Sequence, residues 1–255
     1  MASGDRWTKD ELRLAFHLYC QLPFGKLHSK NPDIMELAKL IHRTPSSVAM
    51  KLVNFASLDP AITSTGRTGL GNASKVDEEI WNEYQRDWDS LAVQSARLLE
   101  KLRGVAEAPP DDMNAENFYG ETTPATVEVR RRQQFFRRSV LASYENKCCM
   151  TGITAGELLV ASHIVPWNAD AHNRLNPRNG LCLSALHDRA FDRGLITVTP
   201  DLSIRISSSI RDYSQEEFVR TALINLEGHK IHLPEKFRPK PEFLEFHNLH
   251  VFKGR

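Results

Sequence analysis

The chain has 255 residues, which is enough for one large domain or for two smaller domains that each bury a core. Its 33 Lys and Arg residues almost balance its 32 Asp and Glu residues, so the net charge is only +1. Binding to nucleic acid would therefore depend on local basic patches rather than on overall charge. No apolar run approaches the length that spans a bilayer, and the polar start of the chain gives no sign of export. We expect a cytoplasmic protein of bacterial type without a membrane partner.

The four cysteines are Cys20, Cys148, Cys149 and Cys182. They form no repeated Cys-x-x-Cys pair, and two of them are adjacent, which suits neither a disulfide framework nor a complete zinc site. Reduced thiols and the absence of a structural zinc are therefore expected.

Three helices are predicted near the amino terminus. Thr8 and Glu11 form a capping-box pattern before the first of them. Asn31-Pro32 and Thr44-Pro45 each place an N-cap residue before a proline, which predicts the starts of the second and third helices. Apolar residues recur at helical spacing after each start, so each helix is predicted to have one buried face.

The second and third helices, joined by a short turn, fit a helix-turn-helix. In that arrangement the third helix presents outward a set of residues that can bond phosphates or base edges: Ser46, Ser47, Met50, Lys51 and Asn54. A plain helical bundle whose polar face meets water fits the same pattern. Both interpretations stay open at this point.

The next part of the chain predicts a boundary between two domains. Residues 64–74 are rich in glycine and form either a loop against a DNA backbone or a flexible connection, and Ser74 is predicted to cap one long helix that continues to Leu102. Residues 105–124 are poor in large apolar residues and rich in Pro, Asp and Glu, which predicts a linker. The expected organisation is a helical recognition domain over 1–104, the linker, and a second domain over 125–255 with its core at 145–206.

Residues 127–144 predict a helix that is apolar on one face and basic on the next. Its apolar arc carries Val129, Phe136, Val140 and Tyr144. The basic arc carries Arg130, Arg131, Arg137 and Arg138. Because guanidinium groups bond phosphate bidentately, this arc predicts a clamp on a DNA backbone. A solvated charged face is the alternative.

Three polar residues then follow in a fixed order. His163 ends an apolar run that predicts a strand, Asn179 lies in a turn-like run before a second short strand, and His187 lies in a predicted short helix that stops at Gly194. The predicted plan is strand, loop, strand and helix. Beyond it, the sequence predicts a hairpin that turns at Pro200-Asp201.

These residue types suit the hydrolysis of a phosphodiester. The reaction needs a base to deprotonate water and a cation to neutralise the charge that grows on the phosphate. One histidine, which titrates near neutrality, suits the base, and a second can hold a metal through a ring nitrogen. An asparagine can bond backbone groups on both sides of a loop and so fix where the first histidine points.

The segment resembles the HNH, or ββα-metal, endonuclease family, in particular the branch written ASHI-PW, NGL-L and H-FD-G. The matching residues are Ala161, Ser162, His163, Ile164, Pro166, Trp167, Asn179, Gly180, Leu181, Leu183, His187, Phe191, Asp192 and Gly194. The resemblance implies an α+β protein, in which a helical, DNA-binding-like amino-terminal domain precedes a carboxy-terminal ββα-metal nuclease domain.

The resemblance also implies roles. His163 is similar to the family's general base, Asn179 to its loop-orienting asparagine and His187 to its metal ligand. Ser162 departs from the pattern, because many members have an aspartate or a histidine ligand there. The expected ligand set is therefore His187, Ser162 and a carboxylate, Asp192 in preference to Asp170, around Mg²⁺ or Mn²⁺.

The expected function is a restriction-type endonuclease that cuts double-stranded DNA, as a homodimer where both strands are cut. Water activated by His163 would attack phosphorus, and the cation at His187 would stabilise the leaving oxygen. One alternative is a DNA-binding regulator without catalysis, which the Ser162 departure favours. Another is a nicking or RNA-cleaving enzyme. His247 and His250 are expected to be structural.

Overall fold

The computed structural model describes residues 6–66, 73–104 and 124–254. The chain forms two compact units, Met1–Arg138 and Ser139–Arg255. Most of the predicted linker and the middle of the glycine-rich stretch, residues 105–123 and 67–72, lie outside the described residues. Within the described ranges, no helix combines the length and apolar character needed to cross a bilayer.

The first unit is helical. Its helices are α1 (Lys9–Gln21), α2 (Pro32–Leu40), α3 (Pro45–Ala56), α4 (Pro60–Thr63), α5 (Lys75–Arg86) and α6 (Trp88–Arg103), and α7 (Pro124–Ser143) begins in it. The three predicted starts are confirmed, because the side chains of Thr8, Asn31 and Thr44 each accept a backbone N–H of the first turn. Helix α1 packs on α2, α3, α5 and α6. The buried aromatic residues at the centre are Phe16, Tyr19, Phe55, Trp81, Tyr84 and Trp88.

The single long helix predicted after Ser74 is wrong. Ser74 does cap α5, but the chain leaves the helical conformation at Asp87, where φ is −146° and ψ is 80°. The Asp87 carboxylate accepts the amide N–H of Ser90 at 2.9 Å and so caps α6. Aspartate is a favoured N-cap residue, so Asp87 was a break signal that the hydrophobic spacing masked.

The outward orientation predicted for two residues of α3 is also wrong. The Lys51 ammonium bonds both carboxylate oxygens of the fully buried Asp77 on α5, at 2.9 and 3.0 Å. Asn54 is only 7% exposed. Of the predicted contact residues, Ser46 and Met50 are exposed and Ser47 is partly buried. The polar face of α3 is therefore narrower than predicted, because α5 covers part of it.

Two of the four arginines in the basic arc of α7 bond residues of the first unit. Arg131 bonds Glu100 of α6, and Arg138 donates to the side-chain oxygen of Gln21 at 3.5 Å. Arg130 and Arg137 are partly buried. Phe136 and its apolar neighbours on the predicted arc are buried as expected, except Val129, which is 42% exposed. Of the four arginines, Arg131 is thus engaged in an ion pair, and the DNA clamp stays a prediction.

The second unit contains the predicted strand, loop, strand and helix. Strand β1 (Leu159–His163) pairs antiparallel with β2 (Gly180–Ser184), and α8 (Ala185–Asp192) packs on both. The predicted hairpin is confirmed as β3 (Ile196–Val198) and β4 (Ile204–Ile206). Helices α9 (Ser208–Arg211), α10 (Glu217–Ala222) and α11 (Pro241–His250) follow.

Gly194 lets the end of the chain pack against the end of α8. Its φ is +69°, and a β-carbon built there would lie 2.1 Å from the Val251 carbonyl oxygen. The amide of Lys253 also donates to the Gly194 carbonyl at 2.9 Å. Only glycine satisfies both the backbone conformation and this close approach.

Candidate active site

His163 lies at the end of β1, where a backbone carbonyl fixes its ring. Its Nε2 lies 2.8 Å from the Arg174 carbonyl oxygen. A carbonyl oxygen only accepts, so Nε2 carries the proton and the neutral ring holds its lone pair on Nδ1. Burial lowers the pKa of His163 to about 4, against the opposing effect of that hydrogen bond. The ring is therefore neutral at pH 7, as a base must be.

Trp167 and Arg174 brace the side chain of His163. The Trp167 ring meets the His163 ring edge-on, with centroids 5.4 Å apart. The Arg174 guanidinium carbon lies 5.2 Å from the Trp167 ring centre, and its Nε donates to the Trp167 carbonyl at 2.7 Å. The backbone of Arg174 thus orients the imidazole, while its side chain holds the neighbouring indole.

Asn179 closes the loop between β1 and β2, residues 164–179, which we call the catalytic loop. Its Oδ1 accepts the Val165 amide at 2.8 Å, and its Nδ2 donates to the carbonyl oxygens of Val165 and Asn173 at 3.2 Å each. Its own carbonyl accepts the amide of Ile164 at 2.9 Å. These are the backbone bonds on both sides of the loop that the sequence led us to expect, and they hold the segment that follows His163.

Asp170 stabilises the turn of the catalytic loop. Its carboxylate accepts the amides of His172 and Asn173 and the Asn173 side chain, at 3.0, 3.2 and 2.7 Å. Burial acts to raise the pKa of Asp170, but the bonds from Asn173 outweigh it and lower the value. These three bonds support a turn-forming role for Asp170 rather than a metal-binding one.

The His187 ring is bonded at both nitrogens, which does not favour its predicted role as a metal ligand. Nδ1 lies 2.6 Å from the Ser184 hydroxyl oxygen, and Nε2 lies 2.9 Å from the Ala222 carbonyl oxygen. The residue is only 3% exposed. Both ring positions that could hold a cation are therefore occupied, because the chain after β4 returns to cover this face of α8.

Cys148 and His187 affect each other's pKa values. Burial acts to raise the pKa of the Cys148 thiol, but hydrogen bonds from His187 and Thr151 lower it to about 7. Burial acts to lower the pKa of His187, yet its bond to Cys148 raises the value. The Ser184 amide donates to the Cys148 sulfur at 3.3 Å. The Ser184 amide thus ties the start of α8 to Cys148.

Asp188 and Asp192 lie one turn apart on α8, and the charge of Asp188 acts on the Asp192 carboxyl. Burial raises the pKa of Asp188, although its interaction with the Ser162 hydroxyl opposes the shift. Burial and the neighbouring Asp188 charge raise the pKa of Asp192 to about 6, even though Asp192 as a whole residue is exposed. Ser162 Oγ is buried and makes no hydrogen bond of ordinary geometry with the described residues. The residue before His163 therefore lies beside the Asp188 carboxylate.

The side chains of Ser162, Asp188 and Asp192 suit a hard divalent cation better than the His187 ring does. Carboxylate and hydroxyl oxygens are the ligand type that Mg²⁺ prefers, and Mg²⁺ usually keeps several waters. Across residues 6–66, 73–104 and 124–254, no cluster of three or more His, Cys, Asp or Glu side chains is arranged to hold a metal. A cation here would accordingly take few ligands from the protein.

Comparison with known families places this geometry in context. Residues 148–199 match the model of the HNH endonuclease family. They form the HNH segment of this chain. A comparison with curated proteins finds no match. The HNH segment contains β1, the catalytic loop, β2, α8 and β3, and it supports a nuclease acting on nucleic acid.

Two buried residues on either side of the end of the HNH segment contact each other. His247 stacks on Phe191 with ring centroids 3.7 Å apart, and its Nδ1 lies 2.8 Å from the Thr197 hydroxyl oxygen. Burial lowers the pKa of His247 to about 4. This histidine supports α8 from behind, which agrees with the structural role expected for it.

Sequence reasoning missed Asp188 and the partners of His187. Asp188 follows His187 directly and is spaced four residues from Asp192, so helical spacing alone could have indicated that the two carboxylates share a face. The contact of His187 with Ala222, 35 residues later, has no local signal.

Proposed function

We propose that the second unit is a divalent-metal-dependent DNA endonuclease in which His163 is the general base. The observation that carries the proposal is the 2.8 Å bond from His163 Nε2 to the Arg174 carbonyl, which places the lone pair of a neutral ring on Nδ1. That nitrogen takes the proton from the attacking water. Asn179 holds the catalytic loop in place, and so keeps the Arg174 carbonyl within hydrogen-bond distance of His163.

Asp188, Asp192 and Ser162 are the proposed holders of the cation, which is Mg²⁺ or Mn²⁺. The raised pKa values of the two carboxyls support this assignment, because the Asp188 charge acts on Asp192 and a nearby cation relieves such repulsion between carboxylates. When bound, the metal supplies charge neutralisation at the phosphate and at the leaving oxygen. His187 then acts as a buried support that orients α8 through Ser184, Cys148 and Ala222.

The wider proposal is a restriction-type enzyme of the bacterial cytoplasm that acts on double-stranded DNA. The helical first unit supplies recognition, and exposed Ser46 and Met50 with Ser47 on α3 are its best-placed contacts. A homodimer supplies two sites where both strands are cut. The alternative of a DNA-binding regulator is favoured by Ser162, since a serine hydroxyl is a weaker ligand than a carboxylate.

Cleavage of supercoiled plasmid with Mg²⁺ or Mn²⁺ tests the proposal. The parent and a His250→Ala control, which removes an exposed histidine of α11, are expected to cut, whereas His163→Ala is expected to lose at least about 100-fold in rate. Equal cutting by His163→Ala would exclude His163 as the base. A parent that binds DNA but cuts with neither metal supports the regulator, and nicked, linear and RNA products distinguish the remaining alternatives.

A further inference from the structure

Two arginines on α8 and at its end flank the proposed metal-binding carboxylates. Arg189 follows Asp188, Arg193 follows Asp192, and both arginines are exposed. Arg189 and Arg193 both act electrostatically on the Asp192 carboxyl. Among the described residues, neither guanidinium makes an ion pair or a side-chain hydrogen bond. They stand beside carboxylates without bonding them.

Three arginines of the first unit are instead paired with carboxylates. Arg43 bonds Glu11 at 2.9 Å, Arg103 bonds Glu36 at 2.7 Å, and Arg131 bonds Glu100. Those pairs fix segments of the first unit to one another. Arg189 and Arg193 do not join segments in this way, so their presence beside the carboxylates needs another explanation. Basic residues near a helix carboxyl end do stabilise the helix dipole, but that effect is small at an exposed position.

We propose that Arg189 and Arg193 bind successive backbone phosphates of duplex DNA on either side of the bond to be cut. Residues four apart on a helix have β-carbons about 5–6 Å apart, so the two guanidinium groups can reach neighbouring phosphates. Each presents a planar fork that bonds phosphate oxygens bidentately. The inference rests on the proposed function, because it assumes that the phosphodiester is held at Asp188 and Asp192.

The salt dependence of DNA binding provides the test. Binding of a fluorescent duplex is measured by anisotropy from 50 to 200 mM NaCl, with His163→Ala present in every protein so that the duplex stays intact. Losing two phosphate contacts makes the slope of log K against log salt shallower by roughly 1.8, and it weakens binding by about tenfold or more near 0.1 M salt. This result is expected for the double change Arg189→Gln with Arg193→Gln.

Matched variants separate phosphate contact from other effects of the charge change. Arg205→Gln with Arg211→Gln removes the same charge from arginines of the same unit that lie over the Phe252 ring and beside Glu227, and it is expected to keep the parent slope. Arg189→Lys with Arg193→Lys keeps both charges and is expected to restore most of the slope. Thermal melting of each variant measures any loss of helix stability separately.

The inference is overturned if the glutamine double variant binds with the parent slope, or if the control pair changes the slope equally. A lowered melting temperature with an unchanged slope assigns the two arginines to helix stability and also overturns it. Failure of the proposed function looks different, because a parent that never cuts plasmid can still lose slope in the double variant. If the parent cuts plasmid and the glutamine double variant keeps the parent salt slope, only this inference fails and the proposed function stands.

Discussion

Asn179 bonds both backbone groups of Val165, accepting from its amide at 2.8 Å and donating to its carbonyl at 3.2 Å. Val165 lies two residues after His163, so one buried side chain fixes the path of the chain as it leaves β1. A side-chain amide can form this pair of bonds because it carries a donor and an acceptor in one plane.

Asn179→Ala is expected to lower the free energy of unfolding by about 1–3 kcal/mol, because the Val165 amide and the carbonyl oxygens of Val165 and Asn173 lose their partner in a buried place. Cleavage should fall as well, since the carbonyl that orients His163 lies in the same loop. Chemical denaturation and plasmid cleavage measure the two effects. Asn168→Ala, at an exposed position of that loop, is the control and should change neither.

Asp188→Asn and Asp192→Asn are each expected to weaken Mn²⁺ binding by at least about tenfold, because each removes a charged oxygen ligand. Isothermal titration of the DNA-free protein gives the affinity. Asp201→Asn removes a carboxylate from the β3–β4 turn of the same unit and should bind like the parent. Parent-like affinity in both α8 variants would mean that the cation binds elsewhere.

Gly194→Ala should destabilise the protein far more than Gly228→Ala. Both glycines have a left-handed backbone, at φ +69° and +76°, which costs any other residue about 1–2 kcal/mol. Nothing lies within 4 Å of a β-carbon at Gly228, whereas at Gly194 the Val251 carbonyl oxygen lies at 2.1 Å. Urea unfolding compares the two variants, and equal losses would show that the tail moves aside without cost.

Stability should fall as the pH drops from about 6.5 toward 4. Burial lowers the pKa values of His17, His163 and His247 to about 3, 4 and 4, below their ordinary value of 6.5. The unfolded chain then binds more protons than the folded one in this interval, so acid favours unfolding. Melting temperatures from pH 7.5 to 4.5 test this, and His163→Gln, which cannot titrate, should flatten the dependence in the second unit.

Local signals account for the parts of the fold that the sequence predicted. The cap residues themselves indicate the helix starts at Thr8, Asn31 and Thr44. The alternation of apolar residues and their helical spacing over a few positions predict β1, β2 and α8. The hydrogen-bonding pattern of Asn179 also followed from its place between two strands. Each of these features depends on residues close together in the chain.

The features that sequence reasoning missed depend on distant residues. Lys51 meets Asp77 across 26 positions, and His187 meets Ala222 across 35. The residues next to Lys51 in the sequence do not indicate that α5 covers it. Those next to His187 do not indicate that both of its ring nitrogens are hydrogen-bonded. The sequence therefore indicated which polar side chains have a role. Only tertiary packing decides whether such a side chain faces a substrate or bonds a neighbouring residue.

The packing behind α8 has a consequence for the design of fragments and chimeric proteins that contain the HNH segment. Ala222, His247 and Val251, which secure His187, Phe191 and Gly194, all follow the last residue of the HNH segment. A recombinant fragment ending at residue 199 would strip these supports and expose a hydrophobic flank to water. Engineering of chimeric nucleases from this chain should therefore retain everything through Lys253.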